Sequence, residues 1–563
     1  MIRKRVAAVA ALFVAGCAVQ RPVPAPAPTS VVDVQILALN DFHGNVDRPA
    51  DPVRFELGPD QFATSPAGGA AIVGQELANL RSGHDHTITV AAGDLIGASP
   101  LTSAYFLDEP TIDAMNLMGL SLASVGNHEF DKGSAELLRM QNGGCEKHTT
   151  RVPCRLEPFE GAHFEYLAAN VLRGDGTTIF PGTAIRQFGP IRIGFIGMTL
   201  KDTGVLVTPS GVAGLRFADE ATTANGLVPQ LKAAGADTIV LLIHQGGHVP
   251  DSYHLRDCDG LTGDILPILD KLDPAIATVI SGHTHHAYEC EIERGGVKRL
   301  LTSAGKYGYF VSDLRLDFDP ATHRLLAQHA RTVPMIRQGS GDPAIAALVK
   351  RYADAAAPAA SRIVGHLSGG PARKSEGDGE SPAANLIADA QLAATKAPNR
   401  GAADISFINA TGVRTDLLPL PDGRVTYGAI FALQPFGNNL VVKTLTGAQL
   451  KAVLEQQFKI EGGTAKVASL LVPARRFRFT YDLSKPDGQR IVVMTLDGKP
   501  IDPNRRYRVT VNNFLASGGD GFSAFNSGTD TFDAGLDLDA LEAWLATNPT
   551  VPTDERVTNS TPH

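Results

Sequence analysis

Five short apolar runs, each breaking off into Asp, His or Asn beside glycine, constrain this chain more than any other feature. Residues 31–39 run into Asn40-Asp41-Phe42-His43-Gly44, and Thr87–Ala92 runs into Gly93-Asp94. Residues 120–125 lead to Gly126-Asn127-His128-Glu129-Phe130-Asp131 and 238–243 to His244-Gln245-Gly246-Gly247. The fifth run, 277–280, ends in Ser281-Gly282-His283-Thr284-His285. Such runs, rich in Val, Ile and Leu, read as buried strands. Helix-like stretches such as 69–81 and 221–234 lie between them, so the alternation predicts an α/β domain. In sheets of that class the ligand site forms beyond the carboxyl ends of the strands. One polar residue at a strand end is commonplace; five strands aiming such groups at one edge is not.

The residue types at that edge define its chemistry. Two Asp, one Asn and up to four His offer oxygen and imidazole ligands without a thiolate, a set suited to two borderline divalent cations. A carboxylate bridging two cations would hold them ~3.5–4 Å apart, the geometry of metal-assisted hydrolysis at phosphorus. The flanking glycines let backbone pass close to the ions and the substrate.

In chain order, D-x-H, G-D, G-N-H-E-x-D, H and G-H-T-H resemble the calcineurin-like metallophosphoesterases, and NDFHG, GNHEFD and SGHTHHAY resemble their 5′-nucleotidase branch. The resemblance implies a four-layer α/β/β/α sandwich. It implies that Asp41, His43 and His285 hold one metal, that Asn127, His244 and His283 hold the other, and that Asp94 bridges the two. The ions would be divalent Zn, Mn, Co or Fe. His128 and Asp131 match the family's dyad, in which His128 donates to the phosphate or leaving group while Asp131 fixes its tautomer and keeps it protonated. Their three-residue spacing suits one helical turn. His84, His86, His248, His254 and His286 read as ordinary turn and loop residues, and Gln245 as a pocket-lining neighbour.

A second α/β alternation begins near 361. The stretch 344–357 reads as one connecting helix ending before Pro358. Beyond it, 384–394 and 447–457 read as helices, and 405–408, 440–445, 491–495 and 507–511 as strands, without an internal repeat. The chain therefore divides into a dimetal phosphoesterase domain at 31–340, a linker helix at 341–360, a substrate-binding domain at 361–550 and a tail at 551–563.

Three segments of the second domain stand out. Asn409-Ala410-Thr411-Gly412-Val413-Arg414 follows a strand and ends in a guanidinium suited to bidentate phosphate recognition. Phe436 occupies a Gly/Pro turn, and Phe514 and Asp520 lie in the Gly-rich run NNFLASGGDGF. An exposed aromatic pair would sandwich a flat base, at ~1–3 kcal/mol per base, and Asp520 would accept both ribose hydroxyls. On residue type alone, Phe436 and Phe514 read more readily as core plugs beneath loops. These segments resemble the carboxy-terminal domain of the 5′-nucleotidases, with its N-G-G-G-I-R, P-F-G and N-F-x-A-x-G-G-D-G-F motifs. The resemblance implies that Arg414 binds phosphate, that Phe436 and Phe514 stack on the base, and that Asn409 and Asp520 hydrogen-bond the nucleoside. Ala410 and Thr411 replace two of the glycines. The stretch ESPAANL at 380–386 resembles the family's E-x-x-x-x-N-L helix start, which makes Arg373 the candidate second phosphate ligand.

The expected activity is hydrolysis of nucleoside 5′-monophosphates to nucleoside and phosphate by in-line attack of a metal-bound hydroxide. In the resembled enzymes the second domain rotates to carry substrate to the metals, with the connector as hinge. The rivals within the fold are a UDP-sugar pyrophosphate hydrolase and a 2′,3′-cyclic-nucleotide phosphodiesterase. The rival outside it is a surface nucleotide-binding lipoprotein without turnover.

Arg3, Lys4 and Arg5 precede an apolar stretch, 6–16, that ends in Val14-Ala15-Gly16-Cys17. That stretch is too short to cross ~30 Å of hydrocarbon as a helix, so it reads as the core of a signal peptide. Its end resembles the lipobox of bacterial lipoproteins. The implications are a signal peptide at 1–16, a lipid on Cys17, a Pro-rich tether to residue 30, and export to the periplasmic face. Ala18, which is not acidic, favours anchoring to the outer membrane. The balance of 51 Lys+Arg against 59 Asp+Glu, a net −8, argues against a nucleic-acid polymer as partner. In an oxidising compartment Cys145, Cys154, Cys258 and Cys290 allow three pairings. The near neighbours Cys145 and Cys154 would staple a Gly-rich loop, leaving Cys258 for Cys290.

Overall fold

The computed structural model describes residues 31–562 apart from 50–51, 59–60, 150, 251–252, 254, 256, 337–338, 374–379 and 462. The signal stretch, Cys17, the Pro-rich tether and His254 lie outside the described residues.

The first unit is built on two six-stranded sheets packed face to face. In one, Val32–Leu39 runs parallel to Thr87–Ala92 and antiparallel to Phe310–Phe318. Leu122–Ser124 and Glu165–Leu167 continue that sheet in parallel, and Leu325–Pro334 forms its other edge. In the second sheet, Thr238–His244 lies parallel between Ile191–Thr199 and Ile276–Ser281. Val34, Ile36 and Val90 of the first sheet meet Ile193, Phe195, Val240 and Leu242 of the second in the inter-sheet core. Alternate residues of the same strands point outward. Leu37, Leu39 and Ala91 pack under the helices Ala70–Arg81 and Glu109–Leu117. Leu241 and Ile243 pack under Glu220–Ala233 and Ile265–Leu269. The layers are thus α/β/β/α, and burial on both faces explains why these strands read as unbroken apolar runs.

Asp342 caps the connecting helix, its Oδ1 accepting from Ala344 N at 2.9 Å and Ile345 N at 3.0 Å, with Pro343 in the first helical position. The helix spans Pro343–Ala360 and so runs through Pro358, where the sequence suggested a stop. Pro358 falls in the last turn, so its missing donor forfeits a single bond, and Ser361 N still closes on Ala357 O at 2.9 Å.

The second unit is also α/β. Arg506–Asn512 lies between Ile405–Asn409, parallel to it, and Asn439–Thr446, antiparallel. Helices Pro382–Thr395, Gly447–Glu455 and Asp537–Leu545 bury Leu386, Leu450 and Leu541 against this sheet. A reciprocal Thr446–Gln449 capping box starts the middle one.

The stretch expected as a tail packs onto the second unit over its described residues. Val557–Asn559 adds a parallel strand to Phe477–Tyr481. Arg556, 1 % exposed, grips both oxygens of Asp389 at 3.0 Å. The anchor here is a guanidinium rather than an apolar run, so hydrophobic patterning does not reveal it. The antiparallel hairpin of Val53–Gly58 and Gln61–Ser65 also went unread in the sequence. Cys145 is bonded to Cys154 and Cys258 to Cys290.

Candidate metal centre

The strand ends deliver their polar residues through left-handed backbone. Asp41 (φ 50°), His43 (φ 48°), Asp94 (φ 51°), His283 (φ 73°) and His285 (φ 63°) all occupy it. Each such non-glycine residue costs about 1–3 kcal/mol and persists only where its surroundings enforce it. Here neighbouring loops enforce it by lacing together. Asp41 N donates to Gly93 O at 3.0 Å, His43 N to Asp94 O at 3.0 Å, and Gly44 N to Leu95 O at 2.9 Å. Tyr307 N donates to Asp41 O at 2.7 Å from the opposite side. Gly126 approaches so closely that a Cβ there would lie 2.1 Å from Asp94 Oδ1.

Three ligand groups result, of which His43, Asp94 and His128 form one that overlaps the other two. One ligand atom each from Asp41, His43 and His285 fall within 4.8 Å of one another, and so do those of Asp94, His244 and His283. Asn127 Oδ1 joins the second group, 3.1 Å from His283 Nδ1. Asp94 sits between the groups, its Oδ2 3.0 Å from His244 Nε2 and 3.7 Å from His43 Nε2. His43 Nδ1 faces Gly97 O at 3.0 Å and His244 Nδ1 faces Ala92 O at 2.8 Å. Each carbonyl accepts from the Nδ1–H facing it, which turns both Nε2 atoms toward Asp94; burial acts to lower the His244 ring, but the Asp94 carboxylate raises it to about 10. His43 Nε2 meets His285 Nε2 at 3.1 Å.

The cluster fits divalent cations on its own chemistry. Asp41 Oδ1 is buried without a hydrogen-bond partner, and His244 Nε2 is buried with the Asp94 carboxylate 3.0 Å away. Burial drives His43 and His285 well below the usual imidazole range and His283 to about 3, which keeps these rings in the neutral, ligating form. Burial acts to raise Asp94, but the surrounding His244, His128 and His43 hold its carboxyl well below the usual carboxylate range. His84, His86, His248 and His286 belong to none of the ligand groups formed by the described residues.

His128 stands beside this cluster. Its Nδ1 lies 2.8 Å from Asp131 Oδ2, and its backbone N donates to Asp94 Oδ1 at 2.9 Å. Burial works against the charged ring, yet Asp131 and Asp94 outweigh it and raise its pKa above the ordinary value. The second unit closes over this side. The Phe436 ring lies 6.3 Å from the His128 ring at 17°, and the Arg414 guanidinium is 5.8 Å from the Phe436 centroid. Arg373, tied through its backbone N to Asp416 Oδ1 at 2.7 Å, is near enough to Arg414 for burial and that neighbour to lower its pKa.

Asn409 and Asp520 also come together, at 2.8 Å from Nδ2 to Oδ2. The half-buried Phe514 packs over Gly519, where a Cβ would lie 2.4 Å from the ring. Neither Phe436 nor Phe514 is the buried plug that residue type favours.

Two residues had no role assigned from the sequence. Lys306 sits half-buried beside Tyr307, its pKa lowered by burial and by Arg373 and Arg414. Its signal, a lone Lys in a Gly-Lys-Tyr-Gly turn, is too slight to stand out. Glu129, 2 % exposed, joins two of the strand-end loops. Its Oε2 accepts from Asp94 N at 2.9 Å and Gly126 N at 2.7 Å, and its Oε1 from Leu95 N at 2.7 Å. An acid in the middle of Gly-Asn-His-Glu-Phe-Asp was the available signal.

Known proteins resemble this chain over both units. A family model for the calcineurin-like phosphoesterase matches residues 34–287, and one for the 5′-nucleotidase C-terminal domain matches residues 363–527. Endonuclease YhcR of Bacillus subtilis is 29% identical over 497 residues, 87% of this chain; the chain spans only 38% of that relative's length. NAD 5′-nucleotidase of Haemophilus influenzae is 25% identical, over 89% of this chain and 87% of that protein. The crystal structure of a 5′-nucleotidase precursor from Thermus thermophilus shares the fold, with a TM-score of 0.73 at 24% identity, over 94% of this chain and 99% of that one.

Glu129→Ala would strand buried amides of both loops. We expect a loss of at least about 2 kcal/mol, the scale of a single orphaned buried donor, seen as a lower denaturation midpoint, together with reduced metal content after dialysis. Unchanged metal content and midpoint would show that the loops hold their shape without it.

Proposed function

The chain belongs to the family that joins a calcineurin-like phosphoesterase domain to a 5′-nucleotidase C-terminal domain, and on that footing we propose that it hydrolyses nucleoside 5′-monophosphates to nucleoside and inorganic phosphate. The observation that carries this reading is the seating of Phe436, from the second unit, beside His128 at the ligand cluster, with Arg414 next to that ring. Groups suited to a base and to a phosphate thereby share one cleft with a proton donor.

In this reading Asp41, His43 and His285 would hold one divalent cation and Asn127, His244 and His283 another, with Asp94 available to either. Bound there, the pair supplies Lewis-acid polarisation of the phosphoryl oxygens and a water of lowered pKa. Arg414, with Arg373, grips the phosphate through paired N–H donors. His128 carries its transferable proton on Nε2, because Asp131 occupies Nδ1 at 2.8 Å. It donates to the charge that develops on the departing oxygen, and Asp131 stabilises the ring while it is charged. Phe436 and Phe514 stack against the base, and Asn409 and Asp520 face the sugar.

We further propose that the stretch 1–16 directs export and that a lipid on Cys17 anchors the protein at the periplasmic face of the outer membrane. Among the described residues no helix is long and apolar enough to cross a membrane. An enzyme so placed would turn charged nucleotides into uncharged nucleosides outside the cytoplasm.

We expect kcat/KM to be higher for AMP than for UDP-glucose or 2′,3′-cyclic AMP; preference for the pyrophosphate or the diester would displace the monoesterase reading. His128→Ala should lower kcat on AMP by ~10²–10⁴ with near-normal metal content, whereas lost metal with undiminished turnover would contradict its assigned role. Cys17→Ala should shift the protein from the membrane to the soluble fraction, and retention in the membrane would exclude the lipid anchor.

A further inference from the structure

The fold leaves one cation of the first unit without a partner beside the ligand cluster. Lys306 lies in a turn that hydrogen bonds tie to the first ligand loop. Asn40 Nδ2 donates to Gly305 O at 2.8 Å, Tyr307 N to Asp41 O at 2.7 Å, and Tyr309 N to Lys306 O at 2.9 Å. Tyr307 takes left-handed backbone there, φ 57°, an outlier for so bulky a residue and the kind of strain that collects at binding sites. The turn sets the Tyr307 ring 5.9 Å from the His43 ring and 6.0 Å from the His285 ring, with the Lys306 ammonium 4.5 Å from the Tyr307 centroid. Arg373 and Arg414 approach the same place from the second unit. Burial lowers the Lys306 pKa against the pull of Tyr307, and both guanidiniums lower it further. Burial also depresses His285, and His43, Lys306 and Arg414 add to that effect. None of the three cations pairs with a carboxylate among the described residues. Like charges drawn together out of bulk water without a counter-charge are costly.

We infer that Lys306 is a third phosphate-binding cation, supplied by the first unit opposite Arg373 and Arg414, so that one phosphate dianion is gripped from both units. The inference rests on the nucleotide reading above and deepens it, by naming a phosphate ligand on the metal-bearing unit that the strand-end motifs do not include. An ammonium kept for the fold would have a carboxylate at ion-pair distance. The acid this one feels is Asp41, a candidate metal ligand whose charge a bound ion would take up. The ammonium also suits the role. It is a point charge with three donors and no fixed plane, so it can meet an oxygen that the paired donors of a guanidinium leave over. The Tyr307 face attracts the cation in the absence of an anion, which keeps it at the cleft.

The test measures the affinity of the full-length, metal-replete protein for inorganic phosphate, from the rise of its denaturation midpoint with phosphate concentration, and kcat/KM on AMP beside it. Lys306→Met keeps the alkyl stem and removes the charge, and Lys306→Gln leaves a shorter, neutral polar end. Each should weaken phosphate binding about tenfold or more and lower kcat/KM on AMP in step, as the loss of one charge-assisted hydrogen bond implies. Metal content should stay near normal, and the midpoint without phosphate should hold or rise, because the lost charge had no partner. The absence of a phosphate-dependent rise in wild type overturns the inference. So does unchanged phosphate affinity, or unchanged kcat/KM, in either folded variant. Weaker binding that comes with lost metal or a lowered phosphate-free midpoint overturns it too, as does failure of both variants to fold, since the ammonium would then serve the ions or the fold. If wild type binds phosphate through Lys306 yet releases none from AMP, the hydrolase reading fails and this assignment stands.

Discussion

A carboxylate 1 % exposed, set among imidazoles, is the constraint around which the first unit is arranged. A charge buried that deeply is tolerated only where partners surround it. Asp94 gathers those partners from other strand ends. His244 and His43 face its Oδ2, the His128 amide donates to its Oδ1, and its own main chain bonds Glu129 on one side and His43 on the other. The loop after Val32–Leu39 is laced to the loop after Thr87–Ala92 for this purpose, and Gly126 has no side chain because Asp94 fills the space. The strained backbone at five of the ligands follows from the same demand. The sheets supply rigidity, and the loops store the distortion that aims side chains inward.

Much of this was legible in the sequence, for a physical reason. Strands buried on both faces leave continuous apolar runs, and an abrupt change to Asp, His or Asn with glycine marks the place where a strand gives way to a site. The ligand groups converge from the ends of those five runs. What escaped detection depends on pairing across long separations. Glu129 acts through its contacts with main-chain amides, and amides carry no sequence signal. Val557–Asn559 is too short and too polar to announce itself, and its partner strand is some eighty positions earlier. Pro358 misled because a proline in a final turn costs much less than one mid-helix. Asn409 and Asp520 were read as two hands for one nucleoside, whereas the structure first binds them to each other.

The two units are not strung together loosely. Leu101 and Ala104 of the first are buried within the core of the second. Arg151, carried between Cys145 and Cys154, donates to Ala104 O at 2.5 Å and holds its guanidinium 5.2 Å from the Phe431 ring. Phe431 lies in the helix Tyr427–Leu433, which leads directly into the turn bearing Phe436. The stapled loop thus touches the helix that precedes Phe436, the ring beside His128.

The seating of Arg556 on Asp389 carries a consequence for biosynthesis. The chain is made from its amino end, and the first unit holds every residue of the candidate ligand groups, so that part has its components first. The second unit lacks its last strand, and the counterion of a buried acid, until the residues around 557 have joined it. Its assembly is therefore a late event that waits on completion of this stretch. Until then, the second unit has an open sheet edge and an uncompensated buried acid, while the first already contains all of its candidate ligand residues.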